Sequence, residues 1–214
     1  MLALAAKAVR CSDCGLRLGP RLQAFGWTRC RHCKAATPKV HRRHAVVCCD
    51  YTAPFDQWIA QLKYGKAHGF APFLGAWLAD TLLNETRNSP ADAPVPKPGL
   101  LVPVPCHPDK LSARGYNQAA LIAREAGKQL KTPVCNRLLT KTTHTQTQAD
   151  LGRAERLANL EGVFQATRAI DPNLTIGLVD DVITTGATLQ RCEEALLKAG
   201  AKSVVLMAIC RTPE

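Results

Sequence analysis

The most constraining feature of the chain is the run Thr175-Ile-Gly-Leu-Val-Asp-Asp-Val-Ile-Thr-Thr-Gly-Ala-Thr-Leu189. Its first half predicts a strand over residues 175–182, begun by the apolar run Ile176-Gly-Leu-Val179. That strand delivers two adjacent carboxylates, Asp180 and Asp181, at its C-terminal end, where ligands bind in open α/β sheets. A turn of small hydroxyl residues around one glycine follows: Thr184, Thr185, Gly186, Ala187 and Thr188. A helix is then predicted over residues 188–198. Backbone N–H groups of such a turn, with the first turn of the helix, form an anion site suited to a phosphate. Gly186 lets the backbone approach closely, and the threonine hydroxyls add donors. The two acids lie too close to that phosphate to be its ligands. They suit neutral hydroxyls a few ångströms away, as on a ribose ring, and can help hold a hydrated Mg²⁺. A simple threonine-capped turn is the bland alternative, but an apolar strand, two acids and Thr-Thr-Gly-x-Thr at fixed offsets form a far more specific pattern than a lone glycine motif.

The rest of the chain supplies an α/β frame. Strands are predicted over residues 44–51, 100–105 and 203–210. Helices are predicted from Pro54 through Phe55, Trp58, Ile59 and Leu62, over residues 72–84, and over residues 117–130, where Leu121, Ile122, Ala126 and Leu130 share one face. Residues 88–99 hold four prolines and read as a loop. Strand, helix and strand in alternation predict an α/β domain with a mainly parallel sheet flanked by helices. Its expected extent is residues 44–214.

Residues 1–43 show no sustained helical or strand period and are rich in Cys, Arg and Gly. Cys11-Ser-Asp-Cys14 and Cys30-Arg-His-Cys33 are two C-x₂-C pairs separated by fifteen residues. This spacing predicts a tetrahedral Cys₄ zinc site, with Gly15 permitting the tight turn after the first pair. Four thiolates close the coordination sphere, so the metal is structural. His32, His41 and His44 are not needed as ligands. Cys48, Cys49, Cys106, Cys135, Cys192 and Cys210 read as buried small apolar residues. Cys106, with His107 beside it, also offers a nucleophile-and-base alternative.

Charge is uneven. Residues 1–50 carry ten Lys or Arg against Asp13 and Asp50, a net +8 of the formal +11. Four thiolates and one zinc ion would leave that segment near +6. Phosphate-bearing partners are one reading of such a patch, a solubilising surface the other. Phe25 and Trp27, among Arg17, Arg21 and Arg29, either stack on unpaired bases of single-stranded DNA or form the small core of the cysteine module. No apolar run approaches the roughly 18 residues that span a bilayer, so no membrane insertion is expected. The short Ala-rich start does not read as a secretory leader, which predicts a cytoplasmic protein.

The segment from Leu178 to Thr188 resembles the phosphoribosyl-pyrophosphate (PRPP) motif of type I phosphoribosyltransferases. Val102-Pro-Val-Pro105, Lys110 and Arg114-Gly-Tyr-Asn-Gln118 follow in a second block. Thr145, Gln148, Leu151, Arg156, Asn159, Leu160, Gly162 and Phe164 form a third. With the amino-terminal cysteine module, these are similar to the ComF family of competence-associated proteins, which includes the GntX group. The resemblance covers nearly the whole chain.

The resemblance implies a type I phosphoribosyltransferase-like fold. It assigns ribose contacts to Asp180 and Asp181 and the 5′-phosphate to the turn of Thr184, Thr185, Gly186, Ala187 and Thr188. Residues 103–110 become the pyrophosphate-side turn, and residues 140–156 part of a mobile loop. Lys110, Arg114 and Arg156 are suited to a diphosphate, although each can instead cover a helix surface. Asn117 and Gln118 can equally be helix caps. Asp180, Asp181 and Arg114 are the expected catalytic set. The implied reaction is transfer at the anomeric carbon with Mg²⁺, to an acceptor that no obvious base-reading hood identifies. The implied biology is natural competence or use of imported DNA, with other competence proteins as partners. A non-catalytic adaptor or nucleic-acid-binding protein that senses PRPP is the alternative.

Overall fold

The computed structural model describes residues 9–35, 44–65, 68–91, 94–141 and 163–213. Two short helices, α1 (Pro20–Ala24) and α2 (Arg31–Ala35), lie in the cysteine-rich segment. Then come β1 (His44–Asp50), α3 (Phe55–Tyr64), α4 (Phe70–Asn88), β2 (Leu100–Pro103), α5 (Pro108–Arg114), α6 (Gln118–Leu130), β3 (Leu139–Lys141), β4 (Phe164–Ala166), β5 (Thr175–Ile183), α7 (Ala187–Lys198) and β6 (Ser203–Arg211). No described helix is long and apolar enough to cross a membrane.

Strands β1, β6, β5 and β2 form, in that order, a four-stranded sheet in which every neighbouring pair is parallel. Both faces are covered, which is why its strands read as apolar runs instead of alternating. The alternation survives in where each residue points. Val205, Met207 and Ile209 of β6 pack with Ile59, Leu74, Leu78 and Ile122 of α3, α4 and α6. Val204, Leu206 and Ala208 pack on the opposite side with Leu189, Cys192 and Leu196 of α7. The architecture is therefore the mainly parallel, helix-flanked sheet that the sequence predicts. Thr175 to Ile183 carry the central position: β5 pairs β2 on one side and β6 on the other.

Four elements differ from expectation. Helix α4 extends beyond residues 72–84 at both ends; at the C-terminal end its final turn, with Glu85, Thr86, Arg87 and Asn88, is polar and offers no apolar period. Helix α5 is too short for a period to show; Pro108 opens it and the His107 side chain accepts a hydrogen bond from the Asp109 N–H as its cap. Strands β3 and β4 form an antiparallel pair with Leu139 opposite Ala166 and Lys141 opposite Phe164. Three residues each are too few for a strand pattern to register.

The cysteine-rich segment docks against β1. The Ala45 N–H donates to the Ser12 carbonyl at 2.7 Å, and Asp50 pairs with Arg10 at 2.8 Å and Arg17 at 3.3 Å. Gly15, with φ +72°, is held there by the strand itself: a Cβ would meet Val47 Cγ2 at 2.3 Å. Glycine is needed at this position twice over, for the left-handed turn and for the close approach.

Candidate functional site

Parallel strands β2 and β5 end side by side, with Pro103 in register with Val179 and the Val104 N–H donating to the Val179 carbonyl at 2.8 Å. Both strands point their C-terminal ends into a cleft of about 260 Å³. Of the residues expected to bind ligand, Asp180, Asp181, Lys110, Arg114 and Thr188 all line it. They come from three different elements, so the sheet brings together what the sequence separates by up to seventy-eight positions, Lys110 to Thr188.

The two acids are not equivalent. Asp181 is 3% exposed, accepts a hydrogen bond from the Val182 N–H at 2.8 Å, and lies 2.9 Å from the ammonium of Lys63. Asp180 is half-buried and accepts from the Asp181 N–H at 2.8 Å. Desolvation in the cleft, with the neighbouring Asp181 charge added, pushes the Asp180 carboxyl well above the ordinary carboxylate range. Burial alone would lower the Lys63 ammonium, but the Asp181 and Asp180 carboxylates hold it above the usual lysine value. Two upward shifts in one cleft, one caused by burial and one by facing carboxylates, mark it as a functional-site candidate.

Lys63 and Lys141 are the cleft cations that the sequence reading missed. Lys63 follows the fully buried Ile59 by four residues on α3, and thus lies beside the apolar stripe instead of opposite it. That placement was the available signal. Lys141 lies over the Phe164 ring, 5.7 Å from its centroid, at the β3–β4 pair. The guanidinium of Arg114 stands 4.9 Å from the Tyr64 ring centroid and donates to Gln118 Oε1 at 3.1 Å. Lys110 is exposed. Four cations, Lys63, Lys110, Arg114 and Lys141, thus face two carboxyl groups, one of them shifted upward by burial and by its neighbour's charge. An anionic ligand with hydroxyl groups suits that balance. Asn117 is a helix cap: its side chain accepts from the Ala119 N–H at 3.0 Å and donates to the Val104 carbonyl at 2.9 Å. Arg156 and the other residues named between Thr145 and Gly162 lie outside the described residues.

Thr184, Thr185 and Gly186 line a second cavity, of about 440 Å³, on the other side of the same turn. Gly186 is the N-cap of α7 with φ +80° and provides no capping side chain. A Cβ there meets nothing closer than Ile183 Cγ2 at 3.9 Å, so the constraint on this position is the left-handed backbone and not crowding within the chain. Cys14, Cys30 and Cys33 line the opposite wall.

Cys11, Cys14, Cys30 and Cys33 come together, with all four Sγ atoms within 4.8 Å of one another and Cys14 Sγ 3.9 Å from Cys30 Sγ. Tetrahedral Zn–S bonds of about 2.3 Å place sulfurs roughly 3.8 Å apart, so the cluster has the dimensions of a metal site. The Cys33 N–H reaches Cys30 Sγ at 3.4 Å, as expected of a knuckle. Four such thiols cannot all ionise unaided. A hydrogen bond from Cys14 lowers Cys11 to about 5, while burial first and the Cys11 charge second push Cys33 up to about 12. A divalent cation relieves that repulsion.

Three cysteine-related expectations change. The small core here is Cys11, Leu16, Leu18 and Cys30, whereas Phe25 is 78% exposed and Trp27 carries Lys34 over its ring at 3.5 Å. The aromatic residues are thus not the core of the segment. Cys48, Cys49, Cys192 and Cys210 are buried, but Cys106 and Cys135 are half-buried. His107 turns Nδ1 toward the Asp109 N–H at 3.3 Å as a helix cap, so its Nδ1 is not a base for Cys106.

No protein-family model matches the chain. The chain is 31% identical, over 98% of its length and 89% of the relative's, to DNA utilization protein YhgH of Salmonella typhi. The chain belongs to the ComF family. This ComF protein is also 28% identical to competence protein F of Haemophilus influenzae, over 94% of its own length and 84% of that relative's. It is 30% identical to competence protein ComFC of Streptococcus pneumoniae over 51% of its length and 47% of that protein's. Among solved structures, glutamine PRPP amidotransferase from B. subtilis overlays 65% of the ComF chain with a TM-score of 0.44 and 20% identity, and the match covers 26% of that enzyme.

Proposed function

We propose that this ComF protein binds PRPP in the cleft between β2 and β5 and transfers its phosphoribosyl group to an acceptor. The observation that carries this reading is the convergence of Asp180, Asp181, Thr188, Lys110 and Arg114 on one cleft at the C-terminal edge of a parallel sheet. Asp180 accepts from the ribose hydroxyls, with Asp181 anchored beside it by Lys63. The turn of Thr184, Thr185, Gly186, Ala187 and Thr188 takes the 5′-phosphate on N–H groups at the start of α7. Lys110 and Arg114 meet the diphosphate, where fixed cations offset the charge that grows as it leaves. The bond from C1 to the diphosphate oxygen breaks with its electron pair leaving on oxygen. An acceptor nitrogen bonds to C1 and gives its proton to solvent. Mg²⁺ bound with PRPP supplies further charge neutralisation on the leaving group.

Residues 1–43 are inferred to be a structural zinc module and residues 44–214 the phosphoribosyltransferase-like domain. Cys11, Cys14, Cys30 and Cys33 supply four soft thiolate donors, which suit Zn²⁺ and leave no open position for catalysis. The names of the relatives support a place in competence or DNA utilization. Single-stranded DNA and other competence proteins are the proposed partners, and the cytoplasm is the proposed compartment.

A second reading, a non-catalytic adaptor or nucleic-acid-binding protein that senses PRPP, is favoured by the exposed Phe25 among the basic residues of the cysteine segment. Diphosphate release from PRPP and Mg²⁺, screened against nucleobases, nucleosides and single-stranded DNA, separates the two. Acceptor-dependent release supports the transferase. PRPP binding without release by any acceptor supports the sensor.

A further inference from the structure

The 440 Å³ cavity on the cysteine side of the α7 turn contains a charge with no counter-ion among the described residues. Arg211 ends β6 and lines this cavity together with Thr184, Thr185 and Gly186. It is 5% exposed, its Nη1 donates to the Ile183 carbonyl at 3.3 Å, and its Nε has no acceptor among the described residues. The natural counter-ion is Asp50, its register partner on β1. Both oxygens of Asp50 are already engaged, one by Arg10 at 2.8 Å and the other by Arg17 at 3.3 Å. Asp13, which lines the same cavity, is paired with Arg29 at 2.7 Å. Among the described residues Arg211 forms no ion pair. A guanidinium withdrawn from water is costly unless an anion meets it.

The same cavity receives the start of α7, a twelve-residue helix whose N-cap, Gly186, offers no side chain. Thr184 and Thr185 are exposed beside it. Thr212 braces the turn from below, its N–H donating to the Ile183 carbonyl at 2.9 Å. A helix N-terminus and an unpaired buried arginine thus address one space. A phosphate monoester, with up to two negative charges and three acceptor oxygens, answers both.

We infer that the phosphate held by the α7 turn sits on its cysteine-segment side, with Arg211 as its buried counter-charge and the Cys₄ segment as the facing wall. This rests on the PRPP reading only for which molecule brings the phosphate. Free phosphate, ribose 5-phosphate and the 5′-phosphate of PRPP share the chemistry that the site recognises.

The test follows the Nε–H resonance of Arg211 in ¹⁵N-labelled full-length protein, assigned by its loss in Arg211→Lys. Inorganic phosphate, ribose 5-phosphate, and PRPP with Mg²⁺ are titrated separately. A saturable shift with each is expected. Arg211→Met should weaken ribose 5-phosphate binding at least about tenfold. Arg211→Lys keeps the charge but loses the planar fork, and is expected to bind at intermediate affinity with an unchanged melting temperature. An Arg211 resonance that none of the three moves, or a folded Arg211→Met that binds ribose 5-phosphate like the parent, overturns the assignment. If Arg211→Met does not fold, the shift in the parent and the affinity of Arg211→Lys decide it. Ribose 5-phosphate binding through Arg211 with no added affinity for PRPP leaves the subsite standing and sinks the PRPP reading instead.

Discussion

The ammonium of Lys63 lies 2.9 Å from a carboxylate oxygen of Asp181, linking helix α3 to the end of the central strand. The pair divides labour between two adjacent acids: Asp181 is buried and engaged, while Asp180 is left to face the cleft.

Removing one partner leaves the other charge nearly buried and alone. Lys63→Met is expected to lower stability by about 3 kcal/mol, as for other broken buried pairs. Pairing it with Asp181→Asn should recover part of that loss, because the uncompensated carboxylate is then gone. A double-mutant cycle by urea unfolding measures the coupling. Strict additivity of the two changes would show that the ion pair has no energetic role.

The raised Asp180 carboxyl makes stability depend on pH. In the folded state the group keeps its proton over a range in which the unfolded chain, with an ordinary value of about 3.9, has lost it. Its favourable contribution is therefore complete below that ordinary value and is lost as pH rises through the folded value. Asp180→Asn removes this dependence, so the variant is expected to melt above the parent near neutral pH while binding PRPP less well. Melting curves across about pH 4 to 8 check the sign. A variant that melts below the parent at the upper end contradicts it.

Much of this site was legible because its parts are local. Asp180, Asp181 and the turn through Thr188 lie within nine consecutive residues, and the sheet, once formed, fixes where that segment points. Cys11, Cys14, Cys30 and Cys33 were likewise announced by spacing alone. Lys63, Lys141 and Arg211 were not, because each becomes significant only through a partner distant in sequence. Lys63 meets Asp181, and Arg211 faces a turn that begins after Ile183. The fold followed the same division. Long apolar strands such as β5 and β6 were predicted within one residue of their bounds, while α5 and the three-residue β3 and β4 carry too few residues to show a period. For Phe25 the sequence leaves two alternatives open, since aromatic residues in a small segment form a core only if the chain folds over them, and at 78% exposure it does not.

The cysteine cluster predicts one zinc ion per chain. Elemental analysis of the purified protein should find about one equivalent, and Cys11→Ser with Cys14→Ser should lose it. That variant should also lose solubility, because a short segment without its metal has too little core to hold shape. Full zinc retention in the double variant would remove the assignment.

The basic amino-terminal segment predicts an electrostatic mode for any nucleic-acid binding. Affinity for labelled single strands, measured by fluorescence anisotropy, should fall at least tenfold between about 50 and 200 mM salt as counterions are released. Phe25→Ala should weaken binding by roughly 1–3 kcal/mol if a base stacks on the exposed ring. No detectable binding at low salt would leave the segment with a purely structural role.

Calorimetric titration of PRPP with Mg²⁺ into the parent and into Asp180→Asn, Asp181→Asn tests the central claim most directly. The double variant keeps the shape of both side chains but removes their charge. Charge-assisted hydrogen bonds contribute about 1.5–3 kcal/mol each, and 1.4 kcal/mol is tenfold in affinity. Binding by the parent and a loss of at least about tenfold in the variant, with circular dichroism showing both folded, is the predicted result. A folded variant that binds PRPP as tightly as the parent would place the site elsewhere and contradict the account.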